Sequence, residues 1–145
     1  MKAKDIMDRK IFFVEPDTPV QMVARYLVER HLSGLTVVDK EMHALGMVSE
    51  GDVLRKKIAP KAPEVIDMLG DYEGMEEYRE AWRKMGANTA AEIMTAPIIA
   101  VDVNDDVKKV GEAVLNHHIK QIPVLENGKF VGIITRSDLV RILLL

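Results

Sequence analysis

Two stretches of this chain repeat one another in register. The phrases KDIMDRKIFFVEPDTPV, RHLSGLTVVDK and LGMVSEGDVL return in the same order as AEIMTAPIIAVDVNDDV, HHIKQIPVLEN and VGIITRSDLV. Met7 aligns with Met94, a shift of 87 residues that holds from Asp5/Glu92 to Val37/Val124. The shift falls to 86 at Gly46/Gly132, because the first copy has one more residue in the loop before that glycine. Such a repeat predicts two similar units packed as one pseudo-symmetric body, in which any site made from both units occurs twice.

A chain of 145 residues suits one compact domain or two small ones. The absence of cysteine excludes disulfides, thiolate chemistry and cysteine zinc sites, and fits a cytoplasmic protein. No apolar run is long enough to span a bilayer and Met1–Lys10 has no signal-peptide pattern, so no membrane partner is expected. A net charge of −3 argues against a nucleic-acid footprint. Residues 58–88 carry four basic against seven acidic side chains, whereas residues 1–57 carry ten against nine and 89–145 six against seven. The acidity thus lies between the repeats. The expected division is repeat 1 at 1–57, an acidic helical insertion at 58–88 and repeat 2 at 89–145.

Each repeat reads strand, helix, strand, strand, helix. The opening strands are Ile11–Val14 and Ile98–Val101, rich in β-branched and aromatic residues. Val20, Val23, Ala24 and Leu27 then recur at helical spacing, as do Val107, Val110, Gly111 and Val114, with Thr18 and Asp105 as expected N-caps. Leu35–Val38 with Leu45–Val48, and Ile122–Leu125 with Phe130–Ile134, form hairpins, the second turning sharply at Asn127-Gly128. The closing helices are expected at Asp52–Lys57 and Asp138–Leu145. In the insertion, Pro60 and Pro63 interrupt helix. Met75, Tyr78, Trp82 and Met85 share one face of a helix ending near Gly86, a face expected to cover core.

The second strand of each hairpin runs into the same phrase, Gly46-Met-Val-Ser49-Glu-Gly-Asp52 and Gly132-Ile-Ile-Thr135-Arg-Ser-Asp138. A hydroxyl followed three residues later by an acid is a capping box, although Glu or Gln is the usual third residue. The same geometry suits a ligand. A helix start offers free N–H groups and a positive dipole end to phosphate. A carboxylate offers two acceptor oxygens to the two hydroxyls of a ribose diol. Thr135 or Ser137 would contact phosphate while Asp138 holds the sugar, and Arg136, otherwise an ordinary surface cation, can approach the phosphate; capping and binding are compatible.

With these phrases in register, the chain resembles a stand-alone tandem pair of CBS domains, the modules first named from cystathionine β-synthase. The resemblance covers Lys4–Lys57 and Ala90–Leu145. It rests on the DIM and EIM openings, the SGLTVVD and KQIPVLE strands and the two Gly-h-h-S/T-x-x-D phrases, where h is apolar. It implies an α+β fold of two β-α-β-β-α units packed pseudo-two-fold through their sheets. It also implies two clefts that take an adenosine derivative: AMP, ADP, ATP or S-adenosylmethionine. Carried over by position, the primary cleft uses Ile11, Leu32, Ser33 and Gly34 with Thr135, Arg136, Ser137 and Asp138. The secondary cleft uses Ile98, Ile119, Lys120 and Gln121 with Ser49 and Asp52. Gly34 and the two hydroxyls of TRSD rank the Asp138 cleft first, while Gln121 and Gly51 replace the equivalent groups in the other.

Nothing in the sequence forms a nucleophile–base pair, a phosphate loop or a histidine metal motif, so neither catalysis nor a metal site is expected. Apolar Ile142–Leu145 suggests a homodimer. The expected function is a non-catalytic sensor of an adenosine derivative, whose two units shift on binding and signal to an effector protein. The alternative is a structural or oligomerisation module with empty clefts, in which the S/T-x-x-D phrases only cap helices.

Overall fold

Periodicity in the sequence becomes two small sheets, each flanked by helices. The computed structural model describes residues 1–58, 74–142 and 144. The expectations for Pro60 and Pro63, and for the last residues of the chain except Leu144, lie outside the described residues. The first unit contains β1 (Phe13–Val14), α2 (Val20–Glu29), β2 (Gly34–Val38), β3 (Ala44–Ser49) and α3 (Glu50–Leu54), after a short α1 (Ala3–Ile6). The insertion contributes α4 (Met75–Met85). The second unit repeats the pattern with α5 (Ala90–Ile93), β4 (Val101–Asp102), α6 (Val107–Asn116), β5 (Gln121–Glu126), β6 (Lys129–Thr135) and α7 (Arg136–Ile142). The sheets have orders β1-β2-β3 and β4-β5-β6, each with one parallel pair and one antiparallel hairpin.

The central strand β2 is buried at all five positions, as its β-branched, apolar sequence requires of a strand covered on both faces. In β6, Phe130, Gly132 and Ile134 are buried while Val131 and Ile133 are half-buried, which is the two-residue period of a strand. Val20, Val23 and Leu27 of α2, and Val110 and Val114 of α6, are the buried helix stripes. The sharp β5–β6 turn is present, with Asn127 at φ 53° and Gly128 at φ 80°. The β2–β3 loop is longer and is held by Asp39, whose Oδ1 accepts from the N–H groups of Glu41 and His43 at 2.9 Å each.

Several local expectations are corrected. The opening strands pair only over Phe13–Val14 and Val101–Asp102, so Ile11 and Ile98 precede them. The N-caps are Pro19 and Asp106, each one residue later than expected. Pro19 has no side-chain acceptor, and the Val20 N–H instead donates to the Asn88 carbonyl at 2.9 Å. Asp105 serves the preceding turn, accepting from the Asp102 N–H at 2.8 Å. Helix α3 begins two residues before Asp52, because Ser49 caps it. On α4 the buried residues are Ala81 and Lys84, while Trp82 is 47% exposed. Met75, Tyr78 and Met85 are half-buried, so the predicted face is covered in part and the docking face is turned toward Ala81 and Lys84.

The DIM and EIM openings form the unexpected helices α1 and α5, and each packs on the opposite unit. Ala3 belongs to the core of the second unit with Val103, Val110 and Ile134. Ala90 and Ile93 belong to the core of the first with Val23, Leu35 and Val48. Backbone bonds fasten the exchange: Ala3 N–H to Asp105 O at 2.8 Å, and Ala90 N–H to Thr18 O at 2.8 Å. Just beyond the helices, Asp8 bridges Ile133 and Thr95 bridges Met47. The two units are interlocked rather than only juxtaposed.

Candidate functional site

Both S/T-x-x-D phrases are complete capping boxes. The Asp52 N–H donates to Ser49 Oγ at 3.2 Å, and the Ser49 N–H donates to Asp52 Oδ2 at 2.9 Å. Likewise the Asp138 N–H donates to Thr135 Oγ1 at 3.1 Å, and the Thr135 N–H to Asp138 Oδ2 at 2.9 Å. One oxygen of each acid therefore holds the strand-to-helix turn. The two Oδ1 atoms meet different partners. Asp138 Oδ1 accepts from Arg141 Nη1 at 3.1 Å, and that arginine is 73% exposed. Asp52 Oδ1 is paired with Lys84 Nζ from the insertion helix.

The Asp52–Lys84 pair is enclosed. Asp52 is 7% and Lys84 8% exposed. Lys84 Nζ also donates to Thr95 Oγ1 at 2.9 Å, and Thr95 Oγ1 lies 3.4 Å from Asp52 Oδ1. Thr95 is brought there by its bridge to Met47, two residues before Ser49 in β3. Arg83 anchors the same turn of α4, donating to the Glu92 and Met94 carbonyls. Sequence reasoning missed Lys84 and Thr95. A lysine on a helix rich in charge carries no signal of burial, because its counter-ion is 32 residues away.

The starts of β2 and β5 meet at the junction of the units. Gln121 Nε2 donates to the Gly34 carbonyl at 3.0 Å. A Cβ on Gly34 would stand 2.9 Å from that nitrogen and 3.1 Å from the Val48 carbonyl, so a side chain here would press on the Gln121 amide and crowd β3. The room beside Gly34 is thus taken by the Gln121 amide. Ser33 O accepts from the Glu50 N–H at 3.1 Å and Lys120 O from the Arg136 N–H at 3.0 Å, tying each segment to the helix start of its own unit.

Of the residues expected in the primary cleft, Leu32 and Gly34 line a space of about 30 Å³ with Lys10, Phe12, Gln121 and Ile133. The bridge from Asp8 to Ile133 runs the segment leading to Ile11 alongside β6, two residues before Thr135. Among the described residues Asp138 hydrogen-bonds only Thr135 and Arg141. Arg136 and Ser137 are exposed at the start of α7. Of those expected in the secondary cleft, Ser49, Ile119, Lys120 and Gln121 share an open cavity of about 300 Å³. Ser33, Gly34 and His118 line it too. Ile98 and Asp52 do not; Asp52 lines a neighbouring hollow with Lys84, Glu77 and Glu80.

His31 and His118 end α2 and α6 with φ 53° each, the left-handed position that usually belongs to glycine. Donor atoms of Asp39, Glu41 and His43 lie within 4.8 Å of one another. Asp39 Oδ1 already serves the loop N–H groups and Oδ2 meets His43 Nδ1 at 3.2 Å, so the cluster is accounted for as a turn. No helix among the described residues is long and apolar enough to cross a membrane.

Two interlocked β-α-β-β-α units, each ending a hairpin in a capped S/T-x-x-D helix, define a tandem-repeat pair of the type the sequence resembles. The CBS domain family matches at residues 3–59 and 90–145, and the chain belongs to it. MJ1404 of Methanocaldococcus jannaschii is 27% identical over 97% of this chain, which spans 31% of that protein. CBSX2 of Arabidopsis thaliana is 25% identical over 92% of the chain, which spans 58% of it. The crystal structure of CBSX2 in complex with AMP superposes with a TM-score of 0.81 at 25% identity, covering 99% of this chain and 96% of that one. The CBS pair of MJ0100 with 5′-methylthioadenosine and S-adenosyl-L-methionine shares the fold, at a TM-score of 0.71 and 19% identity, covering 99% of this chain and 95% of that one.

Proposed function

We propose that this chain is a non-catalytic regulatory module that binds an adenosine derivative at the Asp138 helix start. The observation that carries the reading is the inequality of the two acids. Asp138 keeps its cap through Oδ2, and among the described residues its Oδ1 is held only by a solvent-exposed arginine. An exposed ion pair of this kind is worth about 0–1 kcal/mol. A ribose hydroxyl can take its place at small cost, while Thr135, Arg136 and Ser137 at the start of α7 would face the phosphate of a nucleotide. The AMP complex of CBSX2 supports an adenosine ligand. Ile11, Leu32 and Gly34 would supply contacts to the base once the space of about 30 Å³ beside Gly34 widens by release of the Gln121 amide, while Ser33 lines the cavity on the Ser49 side.

Because α1 and α5 are exchanged, a ligand joining the units biases their relative orientation, and only its differential affinity for the two arrangements sets the size of the shift. The change would pass to an effector protein, in the cytoplasm. Val28 and Leu115 stand at equivalent repeat positions and are 74% and 71% exposed, which supports a homodimer through these helices. The second reading is an interaction module, favoured by the completeness of both capping boxes.

A thermal-shift panel separates them: adenosine, AMP, ADP, ATP and S-adenosylmethionine, with GMP as control, on nucleotide-stripped protein. A ligand that binds only the native state raises Tm by mass action. A rise confined to adenosine compounds supports the sensor. Asp138→Ala should weaken AMP by about 10- to 100-fold, the loss of bonds to a charged acceptor, and change adenine little. No rise with any compound selects the interaction module.

A further inference from the structure

The two halves of the repeat differ in one respect that the sequence motif hides: the acid of the first unit has a buried cationic partner. We infer that Lys84 is an internal plug, which closes the Asp52 helix start to nucleosides and leaves one ligand site per chain. The inference deepens the nucleotide-binding reading and rests on it.

The argument is one of occupancy and charge. Asp52 Oδ2 is taken by the Ser49 N–H, so Oδ1 is the atom left for a ribose hydroxyl. Lys84 Nζ sits on that atom, with Thr95 Oγ1 completing its shell. A diol entering there must expel an ammonium that is 8% exposed and part it from Asp52, leaving Glu77 and Glu80 as the acids of the same hollow. A buried charge stripped of its partner is strongly unfavourable, more so than the gain from neutral hydroxyl donors. Arg141, the corresponding cation at Asp138, can swing into water without penalty because it is already 73% exposed. The repeats supply the same S/T-x-x-D phrase twice; the helix between them cancels one of them. The cavity of about 300 Å³ beside Ser49 and Lys120 remains, but without its sugar-binding acid.

Isothermal titration of nucleotide-stripped, full-length protein tests this, using AMP and S-adenosylmethionine as probes. The wild type should bind one equivalent per chain and Asp138→Ala none. Lys84→Ala, checked for folding by circular dichroism, should bind two. Lys84→Ala combined with Asp138→Ala should bind one, at the Asp52 start. Two equivalents in the wild type would overturn the plug without any variant being needed, so the inference stays testable if Lys84→Ala does not fold. A folded Lys84→Ala that still binds one equivalent also overturns it. No heat from either probe with any form rejects the nucleotide-binding reading itself, a result distinct from both.

Discussion

Met7 packs against the bare Cα of Gly132. A Cβ there would stand 2.8 Å from Met7 Cγ and 3.0 Å from its Cβ. The pseudo-symmetric pair, Met94 and Gly46, is similar: a Cβ on Gly46 would stand 2.6 Å from Met94 Sδ and 2.8 Å from the Thr95 carbonyl oxygen. The methionine of each DIM or EIM opening thus seats on the glycine that starts the other unit's G-h-h-S/T phrase, at the point where the exchange locks.

Both Gly132→Ala and Gly46→Ala should destabilise the fold, by about 1–3 kcal/mol as overpacked sites do. They should differ in rescue. All three nearest atoms at Gly132 belong to the Met7 side chain, so Met7→Ala in the same chain should recover much of the loss. At Gly46 a backbone carbonyl also stands in the way, so Met94→Ala should recover little. Urea denaturation of the four single and two double variants reads this directly. Equal rescue at both sites would show that the Thr95 carbonyl does not obstruct a side chain at Gly46.

The Asp52–Lys84 pair should dominate the ionic contribution to stability. Removing one partner of a buried pair costs about 3–5 kcal/mol, because the other charge stays behind. Lys84→Ala should therefore lower stability far more than Arg141→Ala or Lys109→Ala, whose ion pairs are exposed and worth about 0–1 kcal/mol. Replacing both partners, as Asp52→Asn with Lys84→Met, should recover part of the loss. Denaturation midpoints in low and high salt check the assignment: screening should leave the Lys84 effect nearly unchanged. A Lys84→Ala cost no larger than that of Arg141→Ala would show that the pair does not hold the fold.

Much of the fold was legible because it is encoded as period and turn chemistry. Val20, Val23 and Leu27 mark a helix, Phe130, Gly132 and Ile134 a strand, and Asn127-Gly128 the hairpin between β5 and β6. Helices α1 and α5 were not legible, since four residues cannot form a stable helix alone and both exist through packing on the other unit. The docking face of α4 misled for a related reason. Met75, Tyr78, Trp82 and Met85 have helical spacing, yet the helix is fixed by Lys84 reaching Asp52 and Arg83 reaching the Glu92 carbonyl. At the candidate site, the two capping acids were readable from their phrases. Their inequality was not, because it depends on what approaches each Oδ1 from distant sequence.

His31 and His118 close α2 and α6 with a left-handed residue, and the following N–H groups bond back to Leu27 O at 2.9 Å and Val114 O at 3.2 Å. A side chain there costs about 1–2 kcal/mol that glycine does not, offset in part by the greater freedom of glycine in the unfolded chain. His118→Gly should therefore be more stable than His118→Ala by about 1 kcal/mol, and His31 should behave alike. Urea midpoints for the four variants test this; alanine matching or exceeding glycine would show that the turn is not under strain.

Acid should weaken the exchanged opening helix through Asp105. The Asp102 N–H holds the Asp105 carboxyl below its ordinary value; desolvation opposes this, and Lys109 adds to the lowering. The same residue's backbone carbonyl receives the Ala3 N–H at 2.8 Å, so the turn it shapes is the dock for α1. A carboxylate depressed in the folded state contributes stability that is complete above its unfolded pKa. That contribution fades as pH falls through the folded one. The loss therefore begins near pH 4, about the ordinary aspartate value, and deepens below it. Glu80, lowered by its bond to Arg83, adds to the same limb. Asp105→Asn keeps an acceptor for the Asp102 N–H but does not titrate. Its denaturation midpoint should lie below that of the wild type at neutral pH and fall less steeply between about pH 4 and pH 3. Parallel acid limbs for the two proteins would assign the acid sensitivity to other carboxylates.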